Sequence, residues 1–228
     1  MLKYFLSLVL IINSCIGFSQ NRKIDSLFTL LKKDKEDTNK VNHLTDLGWE
    51  FKYQNPDTAI ILGNQSLSLA EKSEWKKGAA NSLGQLGAYY YLKADYLKAL
   101  DYYFRALKMA EELGDKNGIA RHLGNIGILY KDQGDCPKAL DYYFKAQKMY
   151  EELGLKNDIA INLGNIGVVY WSQARAASGY ISASNSLYKK ATDYFFKALK
   201  MDEELGDKNG MAADLGNIGN IYYSQANY

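Results

Sequence analysis

Leu123-Gly124-Asn125-Ile126-Gly127-Ile128-Leu129-Tyr130 decides how this chain folds, because it returns almost unchanged. It recurs as Leu163-Gly164-Asn165-Ile166-Gly167-Val168-Val169-Tyr170 and as Leu215-Gly216-Asn217-Ile218-Gly219-Asn220-Ile221-Tyr222. A looser copy stands at Leu83-Gly84-Gln85-Leu86-Gly87-Ala88-Tyr89-Tyr90, and a degenerate one at Leu44-Thr45-Asp46-Leu47-Gly48-Trp49-Glu50-Phe51. The leading leucines, at 44, 83, 123, 163 and 215, are 39, 40, 40 and 52 residues apart. A repeat of this length marks stacked supersecondary units, none of which can bury its apolar face alone.

Each unit divides into two helices. In the clearest one, helix A is expected over about 117–131 and helix B over about 137–153, joined by a turn at Gly134-Asp135. Leu123, Ile126, Gly127 and Tyr130 fall at i, i+3, i+4 and i+7 on helix A, and Ala139, Tyr143 and Ala146 supply the facing stripe of helix B. Gly127 and Ala139 lack bulk, so the helices can approach closely while the tyrosines fill the space beside them. Pro137 is tolerated in a first helical turn. Gly114, Gly154 and Gly206 stand where helix B should end in a left-handed residue.

These letters resemble the tetratricopeptide repeat. The match lies in a Leu, a Leu or Ile three residues on, then Gly, Tyr, Ala, an aromatic and Ala. They are Leu83, Leu86, Gly87, Tyr90, Ala99, Tyr103 and Ala106 in one unit, and Leu123 to Ala146 in the next. The third begins Leu163, Ile166, Gly167, Tyr170 and resumes at Ala191, Phe195 and Ala198. The 40-residue period resembles the subfamily with longer helices. The resemblance implies an all-α, right-handed superhelical solenoid of antiparallel helix pairs. Units are expected near 41–79, 80–119, 120–159 and 160–211, with a truncated one at 212–228. Ile24, Leu27, Leu30 and Leu31 give residues 20–40 a short helix and connector that cap the open end.

Three departures stand out. The first unit has Gly63 where the aromatic belongs. The unit at 160–211 carries an insertion over 174–185, mostly small and polar, that reads as a protruding turn. The last unit stops after its first helix, leaving Leu215, Ile218 and Tyr222 with nothing to pack on, so the chain is expected to be part of something longer.

Residues 1–19 differ in kind. Lys3 is their single charge, 5–12 is an apolar run interrupted only by Ser7, and Gly17 and Ser19 suit a cleavage site before Gln20. A signal peptide follows, with export to the periplasm or another extracytoplasmic space. Ile12-Asn13-Ser14-Cys15 also resembles a lipobox, the alternative being lipidation at Cys15. Membrane contact is otherwise expected only through that segment or a missing C-terminal helix. Processing leaves Cys136 alone, which excludes an intrachain disulfide.

With 28 basic against 26 acidic residues and no basic run, nucleic acid is not an expected partner. No catalytic constellation, metal set or cofactor motif is present. His43 and His122 are the only histidines, both one residue before the leading leucine and without Cys or paired carboxylates at ligand spacing. Gly216-Asn217-Ile218-Gly219 lies inside a helix and lacks the Lys of a phosphate loop.

The resemblance implies a protein or peptide partner, bound in a concave groove walled by the A helices. The candidate groove residues are Asn81, Gln85, Arg121, Asn125, Ile128, Asn165, Val168, Trp171 and Asn217. Gln85, Asn125, Asn165 and Asn217 form an amide ladder, and each amide can both donate to and accept from a peptide backbone. The same amides could instead serve packing between units. Only Arg121 fits a cationic clamp for acidic chain ends, so an apolar or amphipathic peptide suits the wall better. The whole arrangement also resembles the N-terminal sensory region of bacterial signalling proteins, which continue into a histidine kinase, cyclase or transcription regulator.

Overall fold

The computed structural model describes residues 22–177 and 179–226. The signal-segment residues 1–19, Cys15 and Gln20 lie outside them. The described residues form ten α-helices and no strand: α1 (Arg22–Lys33), α2 (Thr38–Phe51), α3 (Pro56–Lys72), α4 (Lys76–Leu92), α5 (Tyr96–Leu113), α6 (Lys116–Asp132), α7 (Cys136–Leu153), α8 (Lys156–Ala176), α9 (Ile181–Leu205) and α10 (Lys208–Ala226). Helix α1 caps the stack, burying Leu27 against Leu44, Leu47 and Leu62. Then α2/α3, α4/α5, α6/α7 and α8/α9 are four helix pairs, and α10 is the A helix of a fifth. The later A helices start at Lys76, Lys116, Lys156 and Lys208, each four residues ahead of the expected unit boundary.

Caps set the helix ends. Asp95, Asp115 and Asp135 accept from the backbone N–H of Lys98, Gly118 and Lys138, each three residues on. That arrangement satisfies a donor the first turn cannot pair internally. Gly114, Gly154 and Gly206 close α5, α7 and α9 at φ of 64°, 67° and 71°, a conformation that side chains resist.

Inside a pair the same contact recurs. Glycine on the A helix lies beneath an aromatic ring of the B helix: Gly87 under Tyr103, Gly127 under Tyr143 and Gly167 under Phe195. A Cβ at these glycines would sit 2.7, 2.7 and 2.9 Å from the ring. Tyr143 and Phe195 are fully buried. Beside this core, Tyr90 stacks on Tyr102, Tyr130 on Tyr142 and Tyr170 on Tyr194 at 5.3, 5.5 and 5.5 Å. Lysines from the same repeats (Lys98, Lys138 and Lys190) lie over the Tyr90, Tyr130 and Tyr170 rings. The first pair lacks the aromatic, and its neighbour compensates. Tyr89 of α4, where later units carry Leu129, Val169 and Ile221, reaches back over Gly48 and Gly63.

Two expectations are corrected. The insertion is helix rather than a protruding turn. It lengthens α8 to 21 residues and α9 to 25, against 17 and 18 in the preceding pair; Ser178, between them, lies outside the described residues. Ala174 and Tyr188 are buried there and the Ser184 hydroxyl donates to the Ala174 carbonyl at 3.0 Å, so the extension has its own small core. Ile218 is also covered. It faces back onto the fourth pair and is 6% exposed, while Leu215 and Tyr222, on the other side of α10, are 54% and 56% exposed.

Candidate functional site

The expected groove residues all fall on A helices: Asn81 and Gln85 on α4, Arg121, Asn125 and Ile128 on α6, Asn165, Val168 and Trp171 on α8, and Asn217 on α10. Backbones of consecutive A helices approach one another, α2 with α4, α6 with α8 and α8 with α10. Consecutive B helices are bridged by side chains, Phe104 with Tyr142 and Phe144 with Tyr194. The closer spacing of the A helices places them on the inner side of the stack. The structure therefore brings Asn125, Asn165 and Asn217 onto adjoining helices of one wall.

Arg121 is exposed and the other eight residues are half-buried. Among the described residues, no side-chain hydrogen bond engages Asn81, Asn125, Asn165 or Asn217. Gln85 differs, since its Oε1 accepts from the Tyr89 hydroxyl that fills the first pair. Trp171 has its indole N–H enclosed without a partner, and the Arg175 guanidinium lies 5.6 Å from its ring. Ile161, one turn before Asn165, is 65% exposed. The wall thus offers unengaged amides that can donate and accept, set among apolar side chains.

A separate cleft of about 450 Å³ opens between α7 and α9, floored by Ile159, Leu163 and Ile166 and edged by Phe144 and Tyr194. None of the expected groove residues lines it. It lies between B helices, on the other side from the amides.

The sequence reading missed a second set of polar residues. The position before each leading leucine is buried at four boundaries between repeats: Ser82, His122, Asn162 and Asp214 are 1%, 1%, 3% and 5% exposed. Ser82 shares a 2.8 Å hydroxyl contact with Ser66. Asn162 donates to the Gln147 side chain at 2.8 Å and to the Tyr143 carbonyl at 2.9 Å. His122 Nδ1 and Asp214 Oδ2 have no partner. Burial, with a smaller push from Arg121, lowers the His122 pKa to about 4 and keeps the ring neutral. The signal lay in the register, since His43 and His122 already shared this position, but the residue type changes at every boundary. Cys136, at the start of α7, is half-buried and its thiol is pushed up by burial, which lowers its reactivity.

Among the described residues no group of three or more His, Cys, Asp and Glu could hold a metal ion. No described helix is long and apolar enough to cross a membrane.

Residues 78–152 match the profile of the tetratricopeptide repeat family. No curated relative matches the chain. Among solved structures it is similar to BtubC from P. vanneervenii, at 17% identity and a TM-score of 0.59, covering 91% of this chain and 89% of that one. It is also similar to a signal transduction ATPase with numerous domains, with a tetratricopeptide repeat sensor, from Pyrococcus horikoshii. That likeness has 20% identity and a TM-score of 0.74 over 90% of this chain, but only 31% of that one. A Rap protein complexed with competence and sporulation factor matches at 15% identity and a TM-score of 0.61, over 90% of this chain and 70% of that one. At these identities the likenesses show the fold alone. Residues 78–152 thus carry tetratricopeptide repeats, and helix pairs of the same kind continue on either side of them.

Proposed function

We propose that the chain is an exported scaffold that binds a protein or peptide partner along its A-helix wall and carries out no catalysis itself. The observation that carries this reading is the set of half-buried amides at Asn125, Asn165 and Asn217 on adjoining helices, which make no side-chain hydrogen bond among the described residues. If they served packing between repeats, partly buried amides in that role would be bonded to neighbouring groups. An extended peptide backbone would use both the donor and the acceptor of each amide, while Ile128, Val168 and Ile161 would cover its apolar side chains. The Rap structure supports the reading by analogy, since that protein is seen in complex with a factor. Export rests on the N-terminal segment and is tested by mass spectrometry of the mature chain, which should begin at Gln20. A lipid-modified chain beginning at Cys15 would point to the alternative processing.

The groove is tested with a peptide selected from a random display library against the full chain. Asn125→Ala combined with Asn165→Ala should weaken that peptide at least tenfold and leave the helical circular dichroism and melting curve near wild type. Unchanged affinity sinks the groove reading, and a collapsed melt makes the ladder structural.

A second reading is favoured by the Pyrococcus horikoshii structure, in which a tetratricopeptide repeat region is the sensor of a larger signalling protein. Here the chain would be the N-terminal sensory region of a bacterial signalling protein with a histidine kinase, cyclase or transcription-regulating output. Sequencing downstream of the Tyr228 codon decides it. An open frame continuing into an apolar stretch of about 20 residues supports the sensor, and a stop codon removes it.

A further inference from the structure

We infer that α10 pairs with α10 of a second copy of this chain, about a two-fold axis at Tyr222, through the contact that joins helices A and B inside a repeat. Gly219 holds the place of Gly87, Gly127 and Gly167, whose Cβ positions lie 2.7, 2.7 and 2.9 Å from an aromatic ring. Among the described residues nothing lies within 4 Å of the same position on Gly219, or on Gly216. Leu215 is exposed, although Leu83, Leu123 and Leu163 at its place in the other repeats are buried. Tyr222 is exposed too, while Tyr90, Tyr130 and Tyr170 each stack on a B-helix tyrosine. At about 3.6 residues per turn, Leu215, Gly219, Tyr222 and Tyr223 share one side of α10. Ile218 and Ile221 hold the other side against the fourth repeat. An apolar strip left bare in this way marks a binding surface.

The other repeats show what covers such a strip. Their B helices carry Ala99, Tyr102, Tyr103 and Ala106, then Ala139, Tyr142, Tyr143 and Ala146, then Ala191, Tyr194, Phe195 and Ala198. In each set the first aromatic stacks on the A-helix tyrosine and the second sits on the glycine. The sequence of α10 repeats that spacing as Gly219, Tyr222, Tyr223 and Ala226, with glycine in place of the first alanine. It therefore combines the features of both helices. The rings of α5, α7 and α9 are already seated on glycines of their own chain, whereas Tyr222 and Tyr223 are exposed. Of the helices a second copy could offer, α10 is thus the one with rings to give.

The register closes on itself. Inside a repeat, Gly127 meets Tyr143 and Tyr130 meets Tyr142. Transferred to two antiparallel α10 helices, Gly219 meets Tyr223 of the second copy, Tyr222 meets its own counterpart, and the remaining glycine and tyrosine meet in return. Such reciprocity is what an isologous two-fold contact requires. The strip is uncharged, so nothing on it repels a second copy. One helix a side makes a small contact, and the dimer should be weak. Asn217, two residues before Gly219, lies nearly opposite it around the helix, which keeps the groove amides clear of the contact.

The test is sedimentation velocity on the full chain across about 1–200 μM, the range of a weak interface. The mean mass should climb from one chain towards two. Gly219→Leu puts a side chain where the ring must sit, and should weaken the dimer at least about tenfold. Its melting should match or exceed that of wild type, because the position is open and leucine favours helix. Tyr222→Lys and Tyr222→Glu replace an exposed residue, so each should fold, remain monomeric alone, and pair when the two are mixed. A wild-type chain that stays monomeric overturns the proposal, as does a dimer that survives Gly219→Leu, or Lys and Glu variants that do not pair. A synthetic peptide of residues 136–153, which carries the B-helix pattern, tests the other occupant. Binding of that peptide to wild type more tightly than a second copy binds, lost in Gly219→Leu, assigns the strip to a foreign helix and also overturns the proposal. Affinity at the amide wall does not enter these measurements, so this contact and the groove stand or fall separately.

Discussion

Gly127 of α6 lies under the Tyr143 ring inside the third repeat. Across the boundary to the fourth, Asn162 of α8 is bonded to Gln147 and to the Tyr143 carbonyl. The first contact is one of shape, and it recurs as Gly87 with Tyr103 and Gly167 with Phe195. The second is one of hydrogen bonding, and no two boundaries solve it alike: serine with serine, histidine unpaired, asparagine with glutamine, aspartate with an enclosed and unbonded oxygen. In a solenoid each repeat touches only its neighbours, so total stability is close to a sum of repeat terms and boundary terms. The repeated contact makes each unit a unit. The variable one lets every boundary be set to its own strength and its own response to pH.

The largest effect should come from breaking the repeated contact. Tyr143 is fully buried, and Tyr143→Ala should cost about 3–5 kcal/mol in chemical denaturation, with Tyr103→Ala and Phe195→Ala close to it. Losses that differ widely among the three would mean that the repeats are not energetically equivalent inside.

The boundaries should separate instead. Asn162→Ala strands the Gln147 and Tyr143 acceptors and should cost about 1–3 kcal/mol, much of it recovered when Gln147→Leu is added to Asn162→Leu. His122 has an unbonded Nδ1 in an apolar setting, so His122→Leu should be close to neutral at pH 7. The folded pKa of about 4 lies below the unfolded value of about 6.5, so the contribution is present above pH 6.5 and lost as the pH falls towards 4. Wild type should therefore lose stability around α6 over that window, and His122→Leu should not. An unchanged acid limb in the variant would place the sensitivity elsewhere.

The same division explains what could be read from the letters. Contacts that are identical in every unit leave an identical trace, which is why the helix pairs, the Gly127 approach and the cap at Leu27 were visible in advance. Contacts that vary leave none. Ser82, His122, Asn162 and Asp214 share a position and a burial but no residue type, so the register points at them and the alphabet does not. Tyr89 fills the space left by Gly63 from a different repeat, a compensation that no single unit displays. The insertion misleads for another reason. Its small residues suggest a turn, but alanine and serine between Ala174 and Tyr188 are compatible with helix, and two lengthened helices can bury each other. The A-helix amides were legible as a ladder in the repeats; that they are unengaged among the described residues required the structure.

The smallest expected effect sharpens the comparison at the turn between helices A and B. Ala94 and Gly134 occupy the same place in the second and third repeats, at φ of 57° and 79°. The turns are otherwise matched. The Ala94 N–H donates to the Tyr91 carbonyl at 2.8 Å and the Gly134 N–H to that of Lys131 at 3.0 Å, and in each the next residue donates to the carbonyl five positions back at 2.9 Å. A side chain in the left-handed region costs about 1–2 kcal/mol, while glycine in its place gives back roughly 0.5–1 kcal/mol through the entropy of the unfolded chain. Ala94→Gly should therefore raise stability by up to about 1 kcal/mol, and Gly134→Ala should lower it by a similar amount, both read from denaturation midpoints. Opposite signs of similar size would show that the turn, like the ring on glycine, is one element used twice. A loss from Ala94→Gly would mean that Ala94 packs in a way Gly134 does not, and that the turn belongs with the variable contacts.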